Sequence, residues 1–88
     1  MDDAARRGEL MDRILDIVRG QMGRTEVGAQ DRFLEDLGAE SFDILNIVAA
    51  VEDRLGIFLE EEEIPFVRSP ADLHDRAIEK LKGKKAAG

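Results

Sequence analysis

The stretch from Leu34 to Leu55 constrains the fold of this chain most, because it carries apolar residues at helical spacing on two separate faces. At about 100° per residue, one stripe follows the pattern of a helix that packs against its own domain. Its members are Ile44, Ile47, Val48, Val51 and Leu55. One such stripe is enough to build a core, so we expect the domain to form around this helix.

The same helix carries a second apolar stripe, turned by roughly 100–160° from the first. It consists of Phe42, Leu45 and Ala49, and the polar residues beside it are Asp43, Asn46, Glu52 and Asp53. An apolar strip with acidic neighbours is typical of a docking surface for another protein. A central helix of a small bundle can also be buried on several sides, so periodicity alone leaves the second stripe as either docking surface or core.

The composition predicts one small domain built from aliphatic helices. A chain of 88 residues buries only a modest core, and this one has four Phe and no Trp or Tyr to fill it. The absence of cysteine excludes disulfides and thiolate metal sites. No apolar run is long enough to span a bilayer, and the first residues lack the pattern of a signal peptide. We therefore expect a cytoplasmic protein without membrane insertion.

The negative charge is concentrated in one part of the sequence. The net charge is −7, and residues 34–64 hold ten acids and one base. Such a field repels nucleic acid and attracts basic protein surfaces toward the middle of the chain. The alternative is that the acids only keep a small helical domain soluble.

Helix signals divide the chain into three longer helices and one short one, which predicts a small all-α four-helix bundle. The first helix is expected over residues 8–22, followed by a long connection over 23–33. The second opens at Glu40 or Ser41, and Gly56 ends it.

The short third helix is expected over residues 60–64, where Pro65 stops it. Ser69 is the predicted N-cap of the last helix, with Pro70 at its first position and Asp72 as an acid that completes the cap. We expect residues 8–82 to form the domain, with flexible ends over 1–7 and 83–88.

The apolar positions of the other elements complete the predicted core. In the long connection, we expect at least two of Phe33, Leu34 and Leu37 to fold back onto the core. After the second helix, we expect Ile57 and Leu59 to be buried in preference to Phe58. The helical faces that should pack against them are Leu10, Ile14, Ile17 and Val18 in the first helix, and Leu73, Ala77, Ile78 and Leu81 in the last.

Ser41 has two possible roles at the start of the second helix. Serine is a preferred N-cap, because its oxygen accepts a hydrogen bond from a free backbone N–H group. A phosphodiester attached to it would meet the same N–H groups and the positive end of the helix dipole. The electrostatics serve a structural serine and a modified one equally well.

Metal sites are not expected. The four glutamates over residues 60–63 lack the spaced ligands and the glycine of a calcium-binding loop. His74 is the only histidine, so it has no second histidine or cysteine with which to bind a metal.

The sequence around Ser41 resembles the acyl carrier protein signature Asp-x-Gly-x-Asp-Ser-Leu-Asp. The matching residues here are Asp36-Leu37-Gly38-Ala39-Glu40-Ser41-Phe42-Asp43, and the likeness continues through residues 48–57, the acidic residues 60–64 and residues 69–73. In that family the serine hydroxyl carries a 4′-phosphopantetheine arm. The resemblance implies an acyl-carrier-like bundle and a non-catalytic carrier.

The function implied by the resemblance is transport of acyl or aminoacyl groups as thioesters on an arm attached to Ser41. A phosphopantetheinyl transferase would install the arm, and enzymes of fatty-acid, polyketide or specialised lipid or metabolite biosynthesis, with basic docking patches, would load and unload a monomeric carrier. The implied docking residues are Glu40, Phe42, Asp43, Leu45, Asn46, Ala49, Glu52 and Asp53. The implied lining of an acyl pocket is Ile47, Val51, Ile57, Leu59, Ile64 and Val67.

Three positions depart from the family pattern. Glu40 stands where Asp usually precedes the serine, Phe42 replaces the usual Leu, and Asn46 stands where fatty-acid carriers commonly have an acid. These differences favour a specialised carrier over the housekeeping carrier of fatty-acid synthesis.

Two other classes of protein compete with the carrier. An acidic helical adaptor would bind a basic partner without any prosthetic group, and it would leave Ser41 without covalent chemistry. A small serine hydrolase would need His74 to meet Ser41 beside an oxyanion hole. Nothing in the sequence supplies that site.

Overall fold

The structure, a computed structural model, describes the backbone of residues 3–87 and the side chains of residues 8–83. Within these residues it contains three α-helices, one short 3₁₀ helix and no strand. The elements in chain order are α1 (Asp3–Met22), α2 (Ser41–Leu55), the 3₁₀ helix (Glu61–Phe66) and α3 (Pro70–Ala87). The predicted all-α bundle of three longer helices and one short helix is confirmed.

The core lies between the three longer helices, and α1 packs against both α2 and α3. The predicted faces supply it: Leu10, Ile14, Ile17, Val18, Ile47, Val48, Val51, Leu73 and Ala77 are buried, and Ile44, Leu55, Ile78 and Leu81 are partly buried against them. These apolar side chains leave water on folding, which is the main stabilisation available to a chain without disulfides.

The long connection between α1 and α2 is tied to the start of α3. Phe33 and Leu37 are buried, whereas Leu34 is 56% exposed, so two of the three predicted residues fold back onto the core. The Phe33 N–H group donates to the Arg68 carbonyl at 2.8 Å, and the Ala71 N–H group donates to the Ala29 carbonyl at 2.9 Å. The connection therefore has a fixed path toward α2.

The segment after α2 follows the prediction. Gly56 adopts φ 66° and ends the helix, with its N–H group donating to the Glu52 carbonyl at 2.8 Å. Ile57 and Leu59 are buried, and Phe58 between them is 65% exposed.

The predicted helix ends were wrong at both termini of the chain. Helix α1 begins at Asp3 rather than at Gly8, and α3 continues to Ala87 rather than ending near residue 82. Ala, Arg and Lys in these segments favour helix strongly enough to extend it through a single glycine. The limits 8–82 for the domain stay a prediction, and residues 1, 2 and 88 lie outside the described residues.

Pro65 does not stop the third helix, contrary to the prediction. The 3₁₀ helix begins at Glu61, runs through Pro65 and ends at Phe66, and the Val67 N–H group donates to the Ile64 carbonyl at 3.0 Å. The fixed φ of proline suits a helical turn, and its missing N–H group removes only one bond from a short element.

Ser69 caps α3 as predicted, and its residue is only 6% exposed. Its Oγ accepts a hydrogen bond from the Asp72 N–H group at 3.3 Å. The Asp72 carboxylate, in turn, accepts from the Arg68 N–H group at 3.0 Å. The acid therefore bonds one residue earlier than a capping box would place it.

Candidate functional site

Ser41 is the first residue of α2, and it is exposed. Glu40 is the N-cap, and the Asp43 carboxylate accepts a hydrogen bond from the Glu40 N–H group at 2.9 Å. The Ser41 hydroxyl makes no hydrogen bond with any described residue. The structural role considered for Ser41, the N-cap, is therefore filled by its neighbours, and the hydroxyl is free for other chemistry.

A sharp turn presents Ser41 at the surface. Gly38 adopts φ 68°, a conformation that residues with a Cβ rarely take. The next residue, Ala39, is 7% exposed, and its N–H group donates to the Phe33 carbonyl at 2.8 Å. Because Ala39 is anchored in the core, the chain leaves it outward and places Glu40 and Ser41 in solvent.

The second stripe of α2 is exposed, which decides against the interpretation that it is more core. Phe42 is 56% exposed, Leu45 is 51% exposed, and Ala49 is also exposed. Asn46 and Asp53 beside the stripe lie in solvent as well. Helix α2 thus has one face in the core and a second apolar face that nothing in the described chain covers.

Two of the predicted docking acids also hold the fold together. Asp43 caps α2, as described above, and the Glu52 carboxylate accepts a hydrogen bond from the Leu59 N–H group at 2.8 Å. The second bond fixes the segment that follows α2 against the helix. Sequence reasoning missed both roles, because Glu40 followed by Asp43 differs from the usual capping-box pattern of Ser or Thr followed three residues later by Glu or Gln.

A largely apolar groove of about 460 Å³ lies beside Ser41. It runs between the start of α2, the long connection and the 3₁₀ helix. Its lining residues are Phe33, Leu34, Glu35, Ser41, Ile44, Leu45, Ile64, Pro65, Val67 and Arg68. Ser41 is therefore at the edge of a space that could shelter an apolar group attached to it.

A second groove adjoins the first along Leu45 and Ile64. It is lined by Leu45, Val48, Ala49, Glu52, Phe58, Leu59, Glu60, Glu61 and Ile64. Acids lie beside its apolar lining, so it extends the exposed stripe of α2 toward the 3₁₀ helix.

The residues predicted to line an acyl pocket divide between the grooves and the core. Ile64 and Val67 line the groove beside Ser41, and Leu59 lines the second groove. Ile47, Val51 and Ile57 are buried in the core cluster and line neither groove. The structure thus brings only part of the predicted set to the surface near Ser41.

Glu63 joins the 3₁₀ helix to α3. Its carboxylate contacts Lys80 Nζ at 2.7 Å and the Arg76 guanidinium at 3.4 Å, and it accepts a hydrogen bond from the Glu60 N–H group at 2.8 Å. The hydrogen bonds from Lys80 and from the Glu60 N–H group hold the pKa of the Glu63 carboxyl below its usual range. This contact fixes the helix that carries Ile64 and Pro65, and hence one wall of the groove.

A second carboxylate stabilises the connection before α2. The Asp36 carboxylate accepts hydrogen bonds from the Arg32 N–H group at 2.9 Å and from Arg32 Nε at 3.2 Å. These bonds, the backbone one first, lower the pKa of the Asp36 carboxyl. The segment that leads to Ser41 is thus held by charge as well as by buried side chains.

Metal ligands and a catalytic histidine do not accompany Ser41 in the described part of the chain. No group of three or more His, Cys, Asp or Glu within it could hold a metal ion. His74 lies on α3 with its Nδ1 at 3.7 Å from an Asp75 carboxylate oxygen, and it does not line the groove of Ser41. Across residues 3–87, no helix combines the length and the apolar character needed to cross a bilayer.

The family model for a phosphopantetheine attachment site matches residues 12–74, well over half of the chain. The chain is 33% identical to an acyl carrier protein of Clostridium acetobutylicum over 66 residues, which is 73% of this chain and 86% of the relative. It is 29% identical to an acyl carrier protein of Solidesulfovibrio magneticus over 75 residues, covering 83% of this chain and 95% of the relative.

Two solved structures have a similar fold. A type-II acyl carrier protein from Streptomyces verticillus, involved in bleomycin biosynthesis, superimposes with a TM-score of 0.80 at 26% identity, covering 90% of this chain and 94% of that one. An acyl carrier protein from Thermotoga maritima superimposes with a TM-score of 0.78 at 31% identity, covering 93% of this chain and 98% of that one.

Proposed function

Because this chain belongs to the acyl carrier protein family, whose cofactor is 4′-phosphopantetheine, we propose that Ser41 is the residue to which the arm is attached. The observation that carries the proposal is the free, exposed hydroxyl of Ser41 at the start of α2, beside an apolar groove. The other serine of the chain, Ser69, is buried and its oxygen is used as an N-cap. The adaptor hypothesis gives the exposed hydroxyl no role, and the family match does not favour it.

The surroundings of Ser41 fit a phosphodiester. The first turn of an α-helix leaves backbone N–H groups without intrahelical partners, and the helix dipole places partial positive charge there. Asp43 satisfies the Glu40 N–H group outside this turn, so it does not occupy the donors nearest the serine. The acids nearby repel a free phosphate anion, which favours delivery by a bound enzyme over spontaneous binding.

Attachment is a transfer reaction in which Ser41 supplies the nucleophile. The Ser41 oxygen forms a bond to the phosphorus that bears the pantetheine of coenzyme A, and the pyrophosphate P–O bond breaks. Adenosine 3′,5′-bisphosphate leaves, and the hydroxyl proton passes to a base of the transferase. In this proposal the transferase is the catalyst and the chain is its substrate.

When attached, the arm supplies a thiol that holds acyl or aminoacyl groups as thioesters. The chain's contribution is to present Ser41 and to position what is attached to it. Ile64 and Val67 in the groove wall are proposed to contact the apolar part of the cargo. Ile47, Val51 and Ile57 lie in the core cluster and would join them only if the core opened, whereas Leu59 would contact the cargo through the second groove.

The exposed stripe of α2 is the proposed docking surface for the transferase and for acyl-handling enzymes. Phe42, Leu45 and Ala49 offer apolar contact, and the exposed acids Glu40 and Asp53 offer negative charge to a basic partner. Asn46 leaves the middle of the stripe less acidic, and Phe42 makes its start bulkier. These features support a specialised carrier; its monomeric state and cytoplasmic location stay predictions.

The proposal is tested by the intact mass of the protein before and after incubation with coenzyme A and a broad-specificity phosphopantetheinyl transferase. We expect the wild type to gain the mass of one phosphopantetheine and Ser41→Ala to gain none. A folded Ser41→Ala variant that still gained the mass would contradict the assignment.

The docking surface is tested by the rate of the same reaction. We expect Asp53→Arg and Phe42→Asp to slow transfer by about tenfold, because each removes a charge or apolar contact from the interface. Asp16→Asn, on the outer face of α1, is the control that should leave the rate unchanged. Transfer rates equal to that of the wild type in all variants would contradict the exposed stripe of α2 as the docking surface.

A further inference from the structure

The groove beside Ser41 contains one cation that the carrier function does not explain. Arg68 lines this groove together with apolar residues, and it is exposed. Its backbone is fully used, since the N–H group donates to the Asp72 carboxylate at 3.0 Å and the carbonyl accepts from the Phe33 N–H group at 2.8 Å. These bonds fix the position from which the side chain extends.

The Arg68 guanidinium has no salt bridge or hydrogen bond to any described residue. Two other arginines have partners: Arg76 contacts Glu63 at 3.4 Å, and Arg24 donates to the Leu37 carbonyl at 3.4 Å. Glu35 is the other charged residue in the lining of the groove, and it lies 3.9 Å from Arg32. Arg68 is therefore available although the neighbouring sequence is rich in acids.

An unpaired guanidinium beside apolar surface is suited to a planar oxyanion. Its N–H groups form a rigid fork that matches two oxygens of a carboxylate or a phosphate. Apolar neighbours on one side lower the local dielectric constant and modestly strengthen such a pair relative to one in open solvent. Because Ser41 lines the same groove, a group attached to Ser41 is the one most often beside Arg68.

We propose that Arg68 binds an oxyanion that the arm on Ser41 brings into the groove, an inference that rests on the proposed function. The oxyanion has two possible sources with the same chemistry. One is the phosphodiester of the arm itself, and the other is a carboxylate on the cargo, as in a dicarboxylic acyl group. In the second case Arg68 makes the carrier select for acidic acyl groups.

The test compares four forms of the protein by NMR, following the Arg68 Nε–H signal. The forms are unmodified protein, protein with the arm alone, and protein with amide-linked butanoyl or succinyl groups on the arm. A shift on addition of the arm, unchanged by succinyl, identifies the phosphodiester. A shift that requires succinyl and is absent with butanoyl identifies the cargo carboxylate.

Arg68→Gln assigns the signal, and its effect is compared with that of Arg54→Gln. Arg54 is an exposed cation on α2 that lines neither groove, so its loss changes net charge equally. If Arg68 binds the cargo carboxylate, it stabilises the ionised form and lowers the pH at which the carboxylate titrates. The titration midpoint in the wild type and in Arg54→Gln should then lie about 0.1–0.7 pH units below the midpoint in Arg68→Gln, which is the range for an exposed ion pair.

A shift that appears equally with butanoyl and with succinyl, but not with the arm alone, overturns the inference, because neither oxyanion then accounts for it. If the Arg68 signal is the same in all four forms and both variants titrate alike, Arg68 binds no oxyanion. The mass of each sample separates this result from a failure of the proposed function, because a protein that gains no arm contradicts Ser41 as the attachment site before Arg68 is tested.

Discussion

The two serines of this chain lie at the starts of two helices, yet their environments are opposite. Ser69 is 6% exposed, and its Oγ accepts a hydrogen bond that caps α3. Ser41 is the exposed first residue of α2, and Glu40 and Asp43 complete the cap in its place. A serine is released for chemistry when neighbouring residues satisfy the helix end without it.

A similar contrast separates the two faces of the helix that carries Ser41. Ser41 and Leu45 are one turn apart on the exposed side of α2 and line the same groove, whereas Ile47 faces the core and is fully buried. We expect Ile47→Ala to lower the free energy of unfolding by about 2–5 kcal/mol, because it leaves a cavity. Leu45→Ala should change it by less than about 0.5 kcal/mol, which urea denaturation can measure. Similar losses for the two variants would mean that Leu45 is not on a free face.

The buried faces were predictable from the sequence, because helical periodicity depends on local spacing. Ile14, Val51 and Leu73 lie in the core as predicted, and the cap by Ser69 followed from the residues beside it. The residues that line the groove were harder to predict from the sequence. Ile47 and Val67 are both apolar and both buried, yet only Val67 lines the groove, because tertiary packing and not residue type decides which core side chain borders it.

The polar contacts of the site were mostly beyond sequence reasoning. Glu63 meets Lys80 seventeen positions away, and no local pattern indicates that pairing. Glu52 bonds a backbone group beyond the end of its own helix, at Leu59. Such contacts depend on tertiary packing, whereas helix propensity and periodicity report only on near neighbours.

The next largest expected effect is the loss of protein stability when each serine is replaced by alanine. Ser69→Ala should lower the free energy of unfolding by about 1 kcal/mol, the usual loss for an N-cap serine. Ser41→Ala should change it by less than about 0.5 kcal/mol, since the hydroxyl has no partner in the described residues. Denaturation of both variants under one set of conditions provides the measurement, and a larger loss for Ser41→Ala would contradict the free hydroxyl.

The cap that replaces Ser41 can be removed separately. Asp43→Ala deprives the Glu40 N–H group of its acceptor and removes a negative charge from the first turn of α2. We expect a loss of about 0.5–1 kcal/mol in the free energy of unfolding. Asp53→Ala, in the exposed part of α2, is the matched control and should have little effect. An unchanged stability for Asp43→Ala would return the capping role to Ser41.

The smallest expected change in the free energy of unfolding comes from Glu63, which fixes one wall of the groove beside Ser41. The pKa of Glu63 is lowered in the folded state from an ordinary value of 4.5, so the contribution of this carboxylate to stability is present above that pH and is lost as the pH falls through the lowered pKa. We expect Glu63→Gln to lower the free energy of unfolding by less than about 1 kcal/mol at pH 7, because the pair is partly exposed. The difference in stability between the variant and the wild type should narrow below pH 4.5. Unfolding curves of the two proteins at several pH values measure the loss and its dependence on pH. A stability difference that stayed constant with pH would exclude the ion pair as the cause of the loss.

The most direct test of the central claim is to find which serine carries the arm. Trypsin separates the two, because cleavage after basic residues yields a peptide of residues 33–54 that contains Ser41 and one of residues 69–76 that contains Ser69. After incubation with coenzyme A and a transferase, we expect the mass of one phosphopantetheine on the first peptide and none on the second. An arm on the peptide that contains Ser69, or no arm on either peptide of the folded protein, would contradict the account.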